Sequence, residues 1–356
     1  MGARLLVAGY FGCGNLGDDA ILLGFLEGLR DRSVDLTVMS GYPEETHRLY
    51  GIKCIPRRES ASFQDELARC DALVFPGGSI FQDVSSVASV SYYAGLVSKA
   101  KKAGKKVIML GQGVGPLNNF LGKRLAAGAF NSADVIAVRD AASVQTLKSL
   151  NVKNTPRVCG DLAFLLPKPA GQEESASFSV GDMRTIGVAP RPFGKHKEIV
   201  QMFGELCRLL YQNNLMPVLI EMDREQDRQL LDDIEKSQGG KVPSIRKVTT
   251  PMQLQQRMSR MECIIAVRLH AAILATTVGV LPFMVSYDPK VSAFAASLNL
   301  PSPPGLTGMS ATRLFESFMG FYKERERHLA TIDRRRDEMR RLAELNMQIL
   351  FDFVKS

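Results

Sequence analysis

The stretch Arg4-Leu5-Leu6-Val7-Ala8-Gly9-Tyr10-Phe11-Gly12-Cys13-Gly14-Asn15-Leu16-Gly17-Asp18-Asp19-Ala20 decides the fold. A short apolar run, a glycine-rich turn and a helix opened by two acids make a strand-turn-helix unit, the building block of a covered parallel sheet. The turn Gly12 to Gly17 formally matches the dinucleotide pattern Gly-x-Gly-x-x-Gly. Two details argue against a dinucleotide. Asp18 and Asp19 would repel a pyrophosphate, and the second strand pattern ends Val38-Met39-Ser40 with no acid for a ribose. Carboxylates at a helix N-terminus also complement its dipole. Asn15 and Asp18 therefore stand either as caps or as groups that meet a sugar's hydroxyls.

Working outward, the same alternation continues through the first half. Strand patterns at Asp35–Met39, Ala72–Phe75, Lys106–Leu110 and Val135–Val138 alternate with helical ones at Asp18–Arg30, Ser91–Ala103 and Asp140–Leu150. From Pro167 to Met183 the chain turns to Pro, Gly, Ser and Glu, which bury nothing and suit a linker. Strands at Thr185–Ala189, Met216–Glu221, Cys263–Val267 and Pro282–Ser286 then alternate with helices at His196–Gln212, Gln226–Lys236, Met252–Arg260, Ala271–Val278 and Val291–Leu298. The expectation is an α/β chain of two doubly wound, Rossmann-like domains, 1–166 and 184–325, joined by a linker at 167–183. Beyond Pro304 the chain reads as helical. A final helix at 326–356 carries one apolar stripe, with Arg334, Arg335, Arg336, Arg340 and Arg341 either solvated or resting on an anionic membrane surface.

Composition narrows the function classes. With 356 residues, 45% hydrophobic and 23% charged, the chain can bury a core in each of two domains. The net charge of +8 favours anionic partners, but no Trp and 7% aromatics give little support for base stacking, so nucleic acid is not expected. No apolar run approaches the ~20 residues of a membrane span, and the N-terminus enters a strand directly, so a cytoplasmic protein is expected. Six cysteines without a Cys-x-x-Cys pair read as reduced thiols, and no metal site is expected.

Ligands of open parallel sheets bind beyond the carboxyl ends of the strands, where loops diverge and helix N-termini point in. The glycine-rich runs Gly77–Asp83 and Gly111–Pro116 follow strand patterns and offer Gly78, Gln82, Asp83 and Gln112 to an acceptor, although glycines also serve plain tight turns. Most informative is Ala266-Val267-Arg268-Leu269-His270-Ala271: a buried strand delivers an arginine and a histidine to the start of an apolar helix. Arg268 can hold a carboxylate or phosphate bidentately, and His270 can exchange a proton near neutral pH. Lys290 and Arg139 open helices after strands in the same way, where a surface ion pair is the bland alternative.

Together these motifs resemble the polysaccharide pyruvyl transferases, within them the branch modifying cell-wall polymers that is often called CsaB. The matching stretches are Gly9–Leu22, Gly77–Asp83, Gly111–Pro116, Val138-Arg139-Asp140, Gly160–Ala163, Val267–Ala271 and Tyr287–Val291. The resemblance implies a GT-B-like fold, two Rossmann-like domains facing across a cleft, with a last helix that crosses back to the first domain. It implies transfer of pyruvate from phosphoenolpyruvate to two hydroxyls of one sugar, an N-acetylhexosamine in a lipid-linked wall or exopolysaccharide precursor, releasing phosphate without a cofactor. It also implies work at the inner membrane face. By resemblance Arg268, Leu269, His270 and Lys290 of the second domain grip the donor, together with Arg139 of the first. The acceptor falls to Asn15, Asp18, Gly78, Gln82, Asp83 and Gln112 of the first. Catalysis falls to His270, Arg268 and Asp18, with Asp19, Asp83 and Asp161 as other candidate bases. Pro76-Gly77-Gly78 stands where a third glycine is frequent, a departure that touches the acceptor loop. A nucleotide-sugar glycosyltransferase and a non-catalytic glycan-binding protein remain the alternatives.

Overall fold

A computed structural model describes residues 2–84, 86–169, 179–180 and 183–355. The chain divides into two compact units, the first comprising Met1–Cys13, Asp18–Leu166 and Met339–Ser356, the second Gly14–Gly17 and Pro167–Glu338.

In the first unit the elements run β1 (Ala3–Phe11), α1 (Leu16–Gly28), β2 (Val34–Ser40), α2 (Pro43–Tyr50), β3 (Lys53–Pro56), α3 (Ser60–Arg69), β4 (Ala72–Phe75) and β5 (Gly78–Phe81). They continue with α4 (Val87–Lys102), β6 (Lys106–Val114), α5 (Phe120–Ser132), β7 (Val135–Val138), α6 (Ala141–Ser149), β8 (Arg157–Val158) and a 3-10 turn at Leu162–Leu165. The strands lie in the order β3-β2-β1-β4-β6-β7-β8, all parallel, with β5 pairing β6. Helices cover such a sheet on both faces, so central strands are apolar throughout and do not alternate. In β4, accordingly, no residue is more than 1% exposed.

The second unit repeats the scheme: β9 (Ser179–Val180), β10 (Met183–Ala189), α7 (His196–Gln212), β11 (Leu215–Ile220), α8 (Arg228–Ser237), β12 (Ser244–Ile245) and α9 (Pro251–Met258). Then come β13 (Cys263–Ala266), α10 (Leu269–Thr277), β14 (Leu281–Met284), α11 (Pro289–Ser297), α12 (Ala311–Lys323) and α13 (Arg325–Lys355). Its parallel order is β12-β11-β10-β13-β14, with β9 antiparallel to β10. In each sheet the order reverses at one strand, β1 in the first and β10 in the second, and a crevice opens beyond its carboxyl end.

Several expectations are corrected. The run Gly111–Pro116 is no free loop, because β6 continues to Val114. Within Gly77–Asp83, residues Gly78–Phe81 form β5, which pairs with β6 at Gly78 and Phe81. Of the expected linker 167–183, residues 170–178 and 181–182 lie outside the described residues, and Ser179–Val180 is a short strand. The turn Gly14–Gly17, read with the first domain, is part of the second unit.

The last helix spans both groupings of residues. Up to Glu338 it counts with the second unit and from Met339 with the first. In the first unit, fully buried Asn346 donates through Nδ2 to the Gly160 carbonyl at 2.9 Å. The arginines of the helix are largely neutralised along it: Arg335 pairs with Glu338, Arg336 with Asp333 at 3.0 Å and Arg340 with Glu344 at 3.4 Å. Among the described residues no helix is long and apolar enough to cross a membrane.

Gly160 admits this helix, since a Cβ there would stand 2.6 Å from the Ala343 nitrogen and 2.8 Å from the Met339 carbonyl oxygen, both backbone atoms. Gly160→Ala is expected to cost about 1–3 kcal/mol, as overpacked sites do, and to lower the melting temperature in a calorimetric scan. Gly128→Ala on α5, with nothing within 4 Å of the added methyl, is the neutral or stabilising control.

Candidate functional site

In the second unit, three parallel strands end side by side at the point of reversal. After β10 comes Pro190-Arg191-Pro192, after β13 Val267-Arg268-Leu269-His270, and after β14 Ser286-Tyr287-Asp288-Pro289-Lys290. Arg268 is the N-cap residue of α10 and provides no side-chain cap. By contrast α9, α11 and α12 are capped by Thr250, Asp288 and Ser310. With no side-chain cap from Arg268, the start of α10 turns the positive end of its dipole toward an incoming anion. Leu269, the first helical residue, is buried, so its backbone is what it can offer.

The Arg268 guanidinium is 9% exposed and already engaged. Its Nε donates to Asp227 Oδ1 at 3.1 Å, its Nη2 to the same oxygen, and its Nη1 lies 4.0 Å from Asp223 Oδ2. Asp227 also accepts from the backbone N–H groups of Met222 and Asp223 at 3.1 and 3.0 Å. Burial raises the Asp227 carboxyl above the ordinary carboxylate range, although Arg268 pulls it back down. Asn15 joins this network, donating from Nδ2 to Asp223 Oδ2 at 3.3 Å while its Oδ1 accepts from the Gly17 N–H at 2.9 Å. Leu16 donates to the Met222 carbonyl and Arg224 to that of Gly14, both at 2.9 Å. Within the first glycine motif, Asn15 thus forms a bridge to Asp223 just before α1 begins.

Its last glycine has a separate task. A Cβ on Gly17 would fall 2.5 Å from His270 Nδ1, 2.6 Å from Cγ and 2.7 Å from Cβ. The imidazole therefore lies against the Gly17 backbone, and only hydrogen fits between them. Around the same strand ends Tyr287 is flanked by two cations, Arg191 with its Cζ 4.5 Å from the ring centroid and Lys290 with its Nζ at 5.7 Å. Arg191 also donates to the Tyr287 hydroxyl. Lys290 lies 3.4 Å from Asp288 Oδ2. Neither Arg191 nor Tyr287 had been singled out as a site residue. A lone Arg between prolines carries no pattern, and only the β10–β13–β14 pairing gathers them.

The first unit places its candidates differently. Arg139 is buried, with its guanidinium donating to Asp161 Oδ2 at 3.1 Å, to Ser79 Oγ at 2.9 Å and to Asp140 at 3.4 Å. Burial opposes its charge, and Asp161 and Asp140 more than restore it. Asp161 also accepts from the Ala163 N–H at 3.0 Å. Gln112, expected at the acceptor, is wholly buried and donates to the Phe75 and Leu110 carbonyls, tying the ends of β4 and β6 together. Asp83 accepts from Asn118 and Asn119 N–H groups at 2.8 and 2.7 Å, and Gln82 from that of Val84 at 2.9 Å. Both fasten loops. Asp19 is buried and accepts from the Gly12 N–H at 2.8 Å, the cap alternative. Asp18 is left nearer the open edge: a Cβ on Gly78 would lie 3.3 Å from its Oδ1. Among the described residues no cluster of three or more His, Cys, Asp or Glu could hold a metal ion.

The family model for polysaccharide pyruvyl transferase matches residues 15–289. The chain is 22% identical over 364 residues to the amylovoran biosynthesis protein AmsJ of Erwinia amylovora, covering 84% of this chain and 86% of that one. In fold it is similar to the MnaA–UDP structure of S. aureus, with a TM-score of 0.64 at 12% identity over 93% of this chain and 90% of that one. It is equally similar to Anabaena HepE in complex with UDP-glucose, with a TM-score of 0.64 at 10% identity over 99% of each chain. The fold is GT-B-like, built from two Rossmann-like units.

Because Gly17 and the His270 ring share one space, Gly17→Ala is expected to displace the imidazole. Four histidines in the chain keep the spectrum simple. The His270 imidazole NMR signals should shift in Gly17→Ala while those of His47, His196 and His328 stay in place. An unmoved His270 signal would contradict the close packing.

Proposed function

The chain belongs to the polysaccharide pyruvyl transferase family, and from that premise we propose that it carries the pyruvyl unit of phosphoenolpyruvate onto two hydroxyls of one sugar. The observation that carries this reading is the start of α10, which has no side-chain cap and where Arg268 and His270 follow β13, the strand between those whose ends carry Arg191 and Lys290. A compact donor with a carboxylate and a phosphate suits such a cluster of cations at a helix N-terminus.

In the proposed reaction His270, as imidazolium, gives a proton to the methylene carbon of the donor, turning it into a methyl group. The adjacent carbon becomes an oxocarbenium ion. One sugar hydroxyl adds to it, the bond to the phosphate oxygen breaks, and the second hydroxyl closes the cyclic ketal. Of the two hydroxyl protons, one restores His270 and the other leaves with the phosphate. Asp18, half-buried in the first unit, is proposed to relay the second of these protons, taking it from the hydroxyl and passing it to the departing phosphate, and Gly78 leaves room beside its carboxylate. Arg191, Lys290 and the α10 N–H groups neutralise donor charge. Arg268 stays partnered by Asp227, so it positions the loop and adds charge from behind. Arg139 is held the same way by Asp161. The acceptor is proposed to be an N-acetylhexosamine in a lipid-linked envelope or exopolysaccharide precursor, met at the inner face of the membrane. No cofactor or metal enters this scheme.

A second reading has one observation in its favour. Glu221 directly follows β11, the position where a dinucleotide or nucleotide-sugar fold keeps its ribose-binding acid. Its carboxylate is 7% exposed and sits 3.8 Å from Arg228, which holds it inward.

Thermal unfolding separates the two. Phosphoenolpyruvate at ~1000 times its Kd should stabilise the protein by about 4 kcal/mol, with UDP-sugars inert and the response lost in Arg191→Ala. Stabilisation by UDP-sugars alone would replace pyruvyl transfer with glycosyl transfer. In turnover assays His270→Gln should slow the reaction by about 10²–10⁴-fold, the usual worth of a positioned acid. Unchanged turnover would remove His270 from the chemistry.

A further inference from the structure

Beyond the residues used so far, the first unit carries a guanidinium among tyrosines. Arg57 directly follows β3, and its backbone N–H donates to the Ser40 carbonyl at the end of β2 at 2.9 Å. That puts it at the carboxyl edge of the sheet. Its Cζ lies 5.0, 5.2 and 5.9 Å from the ring centroids of Tyr10, Tyr92 and Tyr93. Tyr10 comes from β1, the strand at which the sheet reverses, and Tyr92 and Tyr93 from α4. An Arg57 Nη2 donates to the Tyr93 hydroxyl at 3.0 Å, and Tyr92 donates to the Arg57 carbonyl.

Among the described residues no carboxylate pairs with this charge. The groups that act most on Arg57 are Tyr93, Cys13 and Tyr92, and its Nε is buried without a hydrogen-bond partner. This is unlike Arg139 and Arg268, which two acids each accompany. An isolated, partly buried cation is costly to keep, and aromatic faces soften that cost without cancelling the charge. That uncancelled charge is what the guanidinium offers an anion. Tyr10 and Tyr92 beside it are only partly buried, and Asp18 lies close enough to act on Tyr93. The guanidinium therefore stands on the same edge as the carboxylate proposed to meet the sugar.

We propose that Arg57, held by Tyr10, Tyr92 and Tyr93, is the subsite for an anionic substituent on the acceptor sugar. This rests on the pyruvyl-transfer reading for the word acceptor, but the binding it predicts does not. The shared chemistry is a pyranose carrying a phosphate or a carboxylate. A glycosyl phosphate and a uronate are its two sources.

The test is a ligand-observed NMR titration of the full chain with N-acetylglucosamine, N-acetylglucosamine 1-phosphate and glucuronate. A charge-assisted contact should make one anionic sugar bind at least about tenfold more tightly than the neutral one. Preference for the phosphate ester identifies a glycosyl phosphate, and preference for glucuronate a uronate. Either preference should collapse in Arg57→Gln and survive in part in Arg57→Lys, which keeps the charge should the glutamine variant fold poorly. Phosphoenolpyruvate is titrated on the same samples. Its failure to bind wild type would sink the transfer reading and leave the Arg57 comparison standing. Equal binding of all three sugars, no binding of either anionic one, or a preference undiminished in both Arg57 variants overturns the subsite.

Discussion

A parallel strand cannot return to its neighbour through a tight turn, because the chain must first travel back along the sheet. Every pairing in the two main sheets is parallel save that of β9 with β10. All carboxyl ends of a sheet consequently emerge at one edge, each followed by a loop and a helix N-terminus. This single constraint brings Arg191, Arg268 and Lys290, far apart in sequence, to the ends of β10, β13 and β14. The same geometry in the first sheet brings Tyr10 and Arg57 together from β1 and the end of β3. The chemistry follows from the pairing order, since β10 and β1 are where the order reverses.

Charge is distributed along these edges in two ways. Arg139 and Arg268 are buried and matched by acids, Asp161 with Asp140 and Asp227 with Asp223. A buried pair of this kind offers little net stability relative to an apolar alternative, but removing one partner is costly. Its usefulness is geometric. Asp227 holds Arg268 while two backbone N–H groups hold Asp227, so the residue that opens α10 has almost no freedom. Arg191 and Arg57 are held by tyrosine rings, which steady a cation and leave its charge available, while Lys290 is shared between the Tyr287 ring and Asp288. Matched arginines therefore set the frame, and Arg191 and Arg57 are the cations an incoming anion can recruit without displacing a carboxylate.

The alternation of elements was legible because covered parallel strands are continuous apolar runs, as at Ala72–Phe75 and Cys263–Ala266. Short edge elements were not. In β3, β8 and β12 the strands have two to four residues, exposed in part in β3 and wholly in β8, and their patterns do not differ from those of loops. The glycine run at Gly111–Pro116 looked like a turn, yet Gly113 lies within the extended β6. A Cβ there would meet the Arg139 guanidinium at 2.5 Å, so the glycine makes room for a side chain and not for a bend. Arg268 and His270 announced themselves by following a buried strand. Arg57 and Arg191 sit in polar loop sequence with no periodicity, and only long-range pairing reveals them. Gln112 is tied within the sheet to β4 and β6, and Asp83 to the loop at Asn118 and Asn119, partners that no sequence pattern displays.

The motif Gly12-Cys13-Gly14-Asn15-Leu16-Gly17 shows how one spacing can serve unrelated physics. In a dinucleotide fold its glycines let backbone approach a pyrophosphate. Here the carboxylate of Asp19 already occupies the N–H of Gly12, so that anion position is filled. Gly14 and Leu16 spend their backbone groups on Arg224 and Met222, and Asn15 reaches Asp223. What remains is Gly17, whose missing side chain lets the His270 ring lie against the backbone. A residue 253 positions earlier in the numbering thus fixes where the imidazole stands. The glycine pattern near the start of the chain and the Arg-Leu-His segment after β13 are two halves of one steric arrangement. A substitution at either must be judged by its effect on the other.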